Sequence, residues 1–170
     1  MPTIIVSPLA TIGEMAGRHQ IREMISLVAE GHDFHRPATI DPERHLRVRV
    51  NDIVVRDQNG LIAAEDSHLS EIIDFARSWD TSLPLLIHCW MGVSRSPAAA
   101  LVTALATSPG LDEMWLVRRL REASPQASPN ALIVEIGDRL LGRGGRLVEA
   151  VRAIGRGADY TGDAPFSLTW

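Results

Sequence analysis

The chain has 170 residues, 45% hydrophobic and 22% charged, with a formal net charge of -4. That length suits one domain with a real core, the composition is that of an ordinary globular protein rather than a disordered or membrane-embedded one, and an acidic balance without a basic tail speaks against binding nucleic acid by bulk phosphate neutralisation. No apolar run approaches the roughly 20 residues of a spanning helix, and the N-terminus lacks a basic leader before a long apolar stretch, so no membrane partner and a cytoplasmic location are expected.

All 17 basic residues are arginine, which removes any lysine-based mechanism and, with abundant Ala and Gly, suggests a GC-rich and hence bacterial coding genome. The single cysteine excludes an intramolecular disulfide framework and a multi-thiolate metal site.

In chain order, Thr3 to Val6 is a short β-branched run stopped by Ser-Pro and reads as a strand. Ile12 to Glu30 carries Met15, Ile21, Ile25 and Val28 at helical spacing and reads as one helix. Residues 31 to 43 are rich in His, Pro, Asp and Gly and read as loop, with a short strand open at Ala38 to Ile40. Leu46 to Val50 alternates and reads as a strand, followed by an irregular polar segment to Asp66. Ser67 is a plausible N-cap for an amphipathic helix through Leu69, Ile72, Ile73, Phe75 and Trp79. Pro84 to His88 reads as a buried strand. Further helices are expected from Ser96, over Leu111 to Glu122, over Ala131 to Leu141 and over Arg146 to Ile154, with an irregular tail over 156–170. Strands alternating with helices predict an α/β sandwich of three-layer type, a small and mostly parallel central sheet flanked by helices. It forms one domain over 1–170 with its core at about 1–155.

The chemistry concentrates in His88-Cys89-Trp90-Met91-Gly92-Val93-Ser94-Arg95-Ser96, between the buried strand and a helix start. A loop of five residues there, Trp90, Met91, Gly92, Val93 and Ser94, can turn its backbone N–H groups toward one point, where they and the helix N-terminus favour an anion such as a phosphate dianion. Arg95 adds a planar fork matched to two phosphoryl oxygens. Under these positive ends the Cys89 thiol is expected to ionise readily and act as nucleophile. Ser96 can donate a hydrogen bond to sulfur when the thiolate leaves, and His88 is expected to buttress the loop.

The segment resembles the His-Cys-(five residues)-Arg-Ser signature of the cysteine-dependent protein tyrosine phosphatases, in their dual-specificity-like form. Arg121 with Pro129-Asn130 resembles the Arg...Pro-Asn segment after the signature helix, and Val50-Asn51-Asp52 resembles the position of the mobile general acid. The resemblance implies a metal-independent phosphomonoesterase without cofactors. It would act through a phosphocysteine on phosphotyrosine or related esters, of a protein or a small molecule, with Cys89, Arg95, Asp52 and Ser96 catalytic and residues 90 to 95 holding phosphate. Asp52 is the expected acid, Asp57 the fallback and Asp66 a third candidate. Relatives directed at phosphoinositides carry basic residues in this loop, whereas Trp90, Met91 and Val93 are uncharged.

Other readings compete. A phosphate- or phosphoprotein-binding module without catalysis would keep the same loop. A sulfur transferase would use a shorter one, and an arsenate reductase would need further thiols. His32-Asp33-Phe34-His35 with His45 could suggest a metal cluster, but lacks helical i, i+4 geometry and reads better as a solvated loop. Gly142 to Arg146 reads as a helix break, and Arg118, Arg119 and Arg121 as a polar helix face, with Arg121 structural beneath the cysteine loop.

Overall fold

The computed structural model describes residues 1–56, 59–162 and 165–170. Its strands are β1 (Thr3–Pro8), β2 (Glu23–Leu27), β3 (His45–Val48), β4 (Leu85–Cys89) and β5 (Phe166–Thr169). Its helices are α1 (Ile12–Arg18), α2 (Asp66–Ser78), α3 (Arg95–Thr107), α4 (Glu113–Ala123), α5 (Ala131–Leu140) and α6 (Arg146–Ile154). The sheet runs β3-β2-β4-β1-β5, parallel except for the antiparallel β1–β5 pair. No helix among the described residues is long and apolar enough to cross a membrane.

The inner strands β1, β2 and β4 are buried on both faces, as parallel strands with helical cover must be, while β3 and β5 at the edges are partly exposed. Their two-residue period sorts the side chains. Ile4, Val6, Ile25, Leu27, Leu85, Ile87 and Cys89 face a large core built with α2 to α6. Ile5, Met24 and Leu86 face a smaller one with Ile12, Met15 and Ala16 of α1 and with Ile40. This is the expected sandwich, with α1 alone on one side.

Helix α3 is buried along nearly its whole length. Pro97, at the third position, lies where the backbone donors have no partners inside the helix. Its run of alanines lets the backbone approach the sheet and α5 closely. Cys89 therefore ends the central strand β4 directly below the N-terminus of α3.

Four expectations change. The helix expected over Ile12 to Glu30 is α1 followed by β2. The chain leaves the helix at His19 and Gln20, whose φ is +52°, and Ile21 N–H closes back on Ala16 O at 3.0 Å. Ile25 and Val28 had matched a helical period, but Met24, Ile25 and Leu27 are strand residues covered on both faces. The tail over 156–170 is not irregular throughout: Phe166–Thr169 pairs with β1 and buries Phe166 and Leu168. Helix α2 starts one residue before Ser67, with Glu65 as its N-cap, and Glu65 N–H donates to His68 Nδ1 at 3.1 Å. Ala38 to Ile40 forms a turn, not a strand.

Candidate active site

The loop between β4 and α3 is pinned from outside by its carbonyls. Trp90 O accepts from Leu9 N at 3.1 Å, Val93 O from Ser128 N at 2.7 Å, and Ser94 O from Asn130 N at 3.1 Å. With those carbonyls engaged, an amide turns inward: Gly92 N–H donates to Cys89 Sγ at 3.2 Å. Gly92 has φ +74°, and a Cβ there would lie 2.9 Å from Pro8 N and 3.0 Å from Ser7 C. Only glycine fits where the end of β1 passes under the loop.

Cys89 is 2% exposed, with Ser96 Oγ at 3.1 Å from its sulfur. The expected nucleophile therefore lies on the floor of the loop rather than at the surface. Arg95 is also buried, and its Nη1 donates to Val50 O at 2.9 Å. Its Nε–H is buried and has no acceptor among the described residues, an arrangement that costs stability unless a bound group accepts it.

Asp52 lies against this loop. Its Oδ1 accepts from Ser94 Oγ at 2.7 Å and from Asn130 Nδ2 at 2.9 Å, while Asn130 Nδ2 also reaches Ile53 O at 3.2 Å. The same Asn130 caps α5, its Oδ1 accepting from Ile133 N at 3.0 Å. Asn51 N and Oδ1 pair with Ile62 O and N at 2.7 and 2.8 Å, tying together the two ends of the segment that follows Asp52. Asp57 lies outside the described residues. Asp66 sits in the first turn of α2, where Arg139 grips its two oxygens at 2.6 and 3.0 Å. That hydrogen bond holds its carboxyl below the usual range, a poor setting for a proton donor.

Arg121 donates to Pro125 O at 2.6 Å, Ala127 O at 2.9 Å and Gly155 O at 2.8 Å, and so bonds to the segments after α4 and α6 and not to the loop itself. It steadies the strap that carries Ser128 and Asn130 to the loop. Trp90 and Met91 are 52% and 38% exposed. With Leu9, Ala10 and Tyr160 they line a cavity of about 410 Å³, so their side chains form the rim. Trp90 also meets the His32 ring at 5.0 Å between centroids.

Sequence reasoning assigned no role to Ser26, marked Asn130 only through the resemblance of Pro129-Asn130 to the family's Pro-Asn segment, and considered His45 only for a metal. His88 is fully buried, with Nε2 2.6 Å from Ser26 Oγ and Nδ1 3.4 Å from Cys89 O. Ser26 Oγ also lies 2.8 Å from His45 Nε2. Burial pushes both imidazoles down to about 4, with nearby arginines adding to it. A polar residue in the apolar run of β2 was the available signal, hidden because that run read as helix.

Solved structures share this arrangement of elements over most of the chain. Human DUSP28 superposes with a TM-score of 0.60 at 19% identity, over 89% of this chain and 94% of its own. DUSP15 superposes with a TM-score of 0.60 at 19% identity, over 91% of each chain. The fold is that of the dual-specificity phosphatases. The phosphatase domain of Yvh1 from Chaetomium thermophilum also shares this dual-specificity-phosphatase fold, at 22% identity and a TM-score of 0.50, over 81% of this chain and 88% of that one. No protein-family model matches the chain, and no curated protein matches it in sequence.

Proposed function

We propose that the protein is a cysteine-dependent phosphomonoesterase acting on phosphotyrosine or related phosphate esters. The setting of one sulfur carries this reading. Cys89 Sγ lies within 3.1 and 3.2 Å of a hydroxyl and an inward amide, beside an arginine whose buried Nε–H has no acceptor among the described residues. An ester phosphate would supply that acceptor, and the phosphatase fold is consistent with it.

In the proposed reaction the Cys89 thiolate attacks phosphorus in line and the P–O ester bond breaks. The departing oxygen takes the carboxyl proton of Asp52. Water then attacks the phosphocysteine, giving its proton to Asp52, and the S–P bond breaks as Ser96 donates to the leaving sulfur. Three features support Asp52 in this role: it lies beside Ser94, Asn130 orients it, and Asp66 is committed to Arg139.

The test is turnover of an aryl phosphate by the purified chain with a chelator present. Cys89→Ser should lower kcat by about 10³-fold or more. The wild-type pH profile should be bell-shaped, and Asp52→Asn should lower kcat by roughly 10²-fold and flatten the alkaline limb, where the acid must still hold its proton. Turnover that survives Cys89→Ser, or that stops with the chelator, refutes the mechanism. Phosphate binding without any wild-type turnover would identify a binding module instead.

A further inference from the structure

The small-core face of the sheet carries a line of polar groups that the proposed reaction does not use. Ser26 of β2 stands opposite His88 of β4 in the register, and His45 of β3 stands opposite Met24, one diagonal step from Ser26. The three side chains therefore cross three adjacent strands and meet at 2.8 and 2.6 Å. Phe34 lies edge-on to both imidazoles, at 6.0 Å from the His45 ring and 5.1 Å from the His88 ring. The Arg47 guanidinium sits over the Phe34 ring at 5.0 Å.

Hydrogen-bond bookkeeping gives this line a direction. Cys89 O can only accept, so His88 Nδ1, at 3.4 Å, must carry the proton. A neutral His88 then presents a lone pair at Nε2. Ser26 has one hydroxyl proton, which goes to that lone pair, so Ser26 Oγ accepts from His45 Nε2–H. Both rings are neutral near pH 7 because burial, His45 beside His88, and Arg36, Arg47 and Arg95 around them disfavour the imidazolium.

We propose that Ser26 and His45 are positioning residues. Together they form a one-way hydrogen-bond chain, His45 to Ser26 to His88 to Cys89 O, that aims the peptide joining Cys89 to Trp90 at the phosphate site. That peptide is a rigid trans plane. Holding its carbonyl on the His88 side fixes the direction of Trp90 N–H, the first amide of the loop. The opposite polarity would put the His88 proton on Nε2 and leave a lone pair facing the Cys89 carbonyl. This inference rests on the phosphomonoesterase reading for its effect on turnover, but the chain itself does not.

Imidazole ¹⁵N NMR of the wild type tests the direction, with His45→Gln and His88→Gln used to assign the signals. The two rings should show opposite neutral tautomers, Nδ1–H for His88 and Nε2–H for His45. Like tautomers in both rings overturn the proposal. Ser26→Ala and His45→Leu should each slow alkylation of Cys89 by iodoacetamide and lower kcat, both by about threefold to tenfold, because the loop amide is less well aimed. His45→Gln, whose amide can donate in place of Nε2–H, should restore both while melting as the wild type does. Wild-type alkylation and kcat in a folded Ser26→Ala or His45→Leu chain also overturn it, as does a His45→Gln chain no better than His45→Leu. If Ser26→Ala does not fold, the His45 pair and the wild-type tautomers decide the matter. Opposite tautomers and slowed alkylation in a wild type that hydrolyses no aryl phosphate would uphold the chain and refute the enzymatic reading.

Discussion

At the scale of single residues, two groups of side chains and backbone contacts do separate jobs: one shapes the loop and the other couples the stability of the fold to pH. Gly92, Ser94 and Arg95 belong to the first group, each held by one backbone or side-chain partner outside the loop or by a contact only glycine allows. His45 and His88 belong to the second. Both are pushed down to about 4 in the folded chain, from an ordinary value of 6.5. Between those values the unfolded chain binds protons that the folded one does not, so stability is full near pH 7 and falls as pH drops toward about 4. The urea midpoint should therefore be lower at about pH 5 than at about pH 7, and His45→Gln should make the slope shallower. Equal midpoints at the two pH values for the wild type would contradict this.

At the scale of elements, close packing against α3 decides most of the architecture. Gly137 of α5 faces Val102 of α3, and a Cβ at that position would lie 2.3 Å from Val102 Cγ2. Alanine favours a helix over glycine by about 1 kcal/mol, while overpacking a rigid core costs about 1–3 kcal/mol. Val102 is fully buried and has little room to yield. Gly137→Ala should therefore destabilise the chain by up to roughly 2 kcal/mol in chemical denaturation, and adding Val102→Ala should remove the clash and return part of that loss. A Gly137→Ala chain as stable as the wild type would show that the two helices can separate freely. A buried ion pair ties α4 to the turn before α6. Arg143 Nε reaches Glu113 Oε1 at 2.5 Å, and the same guanidinium donates to Pro109 O and Leu111 O at 2.7 and 2.8 Å. It is this glycine-rich break that the sequence pattern marked, and its arginine is structural.

At the scale of the whole molecule, the last strand closes the sheet. Without β5, strand β1 would present an open edge in a sheet otherwise ended by the short β3. Burial of Phe166 and Leu168 contributes about 1.5–3 kcal/mol each. Trp170 adds a contact with Trp79, at 6.2 Å between rings, and donates to Ser108 Oγ at 2.9 Å. Removal of residues 156–170 should lower the melting temperature and cause concentration-dependent association, read by light scattering. A truncated chain that stays monomeric with an unchanged melt would mean that β5 contributes little.

The cysteine loop was legible without the structure because its pattern is local: cysteine, glycine, arginine and serine follow one another within a few residues, and the flanking apolar run and alanine run announce strand and helix. Most helices and the strands β1, β3 and β4 were legible for the same reason, since their periods repeat inside one segment. Strand β2 was not, because Met24, Ile25 and Leu27 are covered on both faces and lose the alternation that marks a strand. Strand β5 was not, because its partner β1 lies at the other end of the chain. The pairings that complete the site are equally remote. Asp52 meets Ser94 and Asn130, Arg95 meets Val50, and His45 meets Ser26 and then His88 only after parallel strands are set side by side. The sequence by itself marked the loop and the residues that the proposed chemistry would use. Only the tertiary structure decided which distant groups hold and orient that loop, because hydrogen bonds between strands depend on sheet order and register, and no local pattern encodes those.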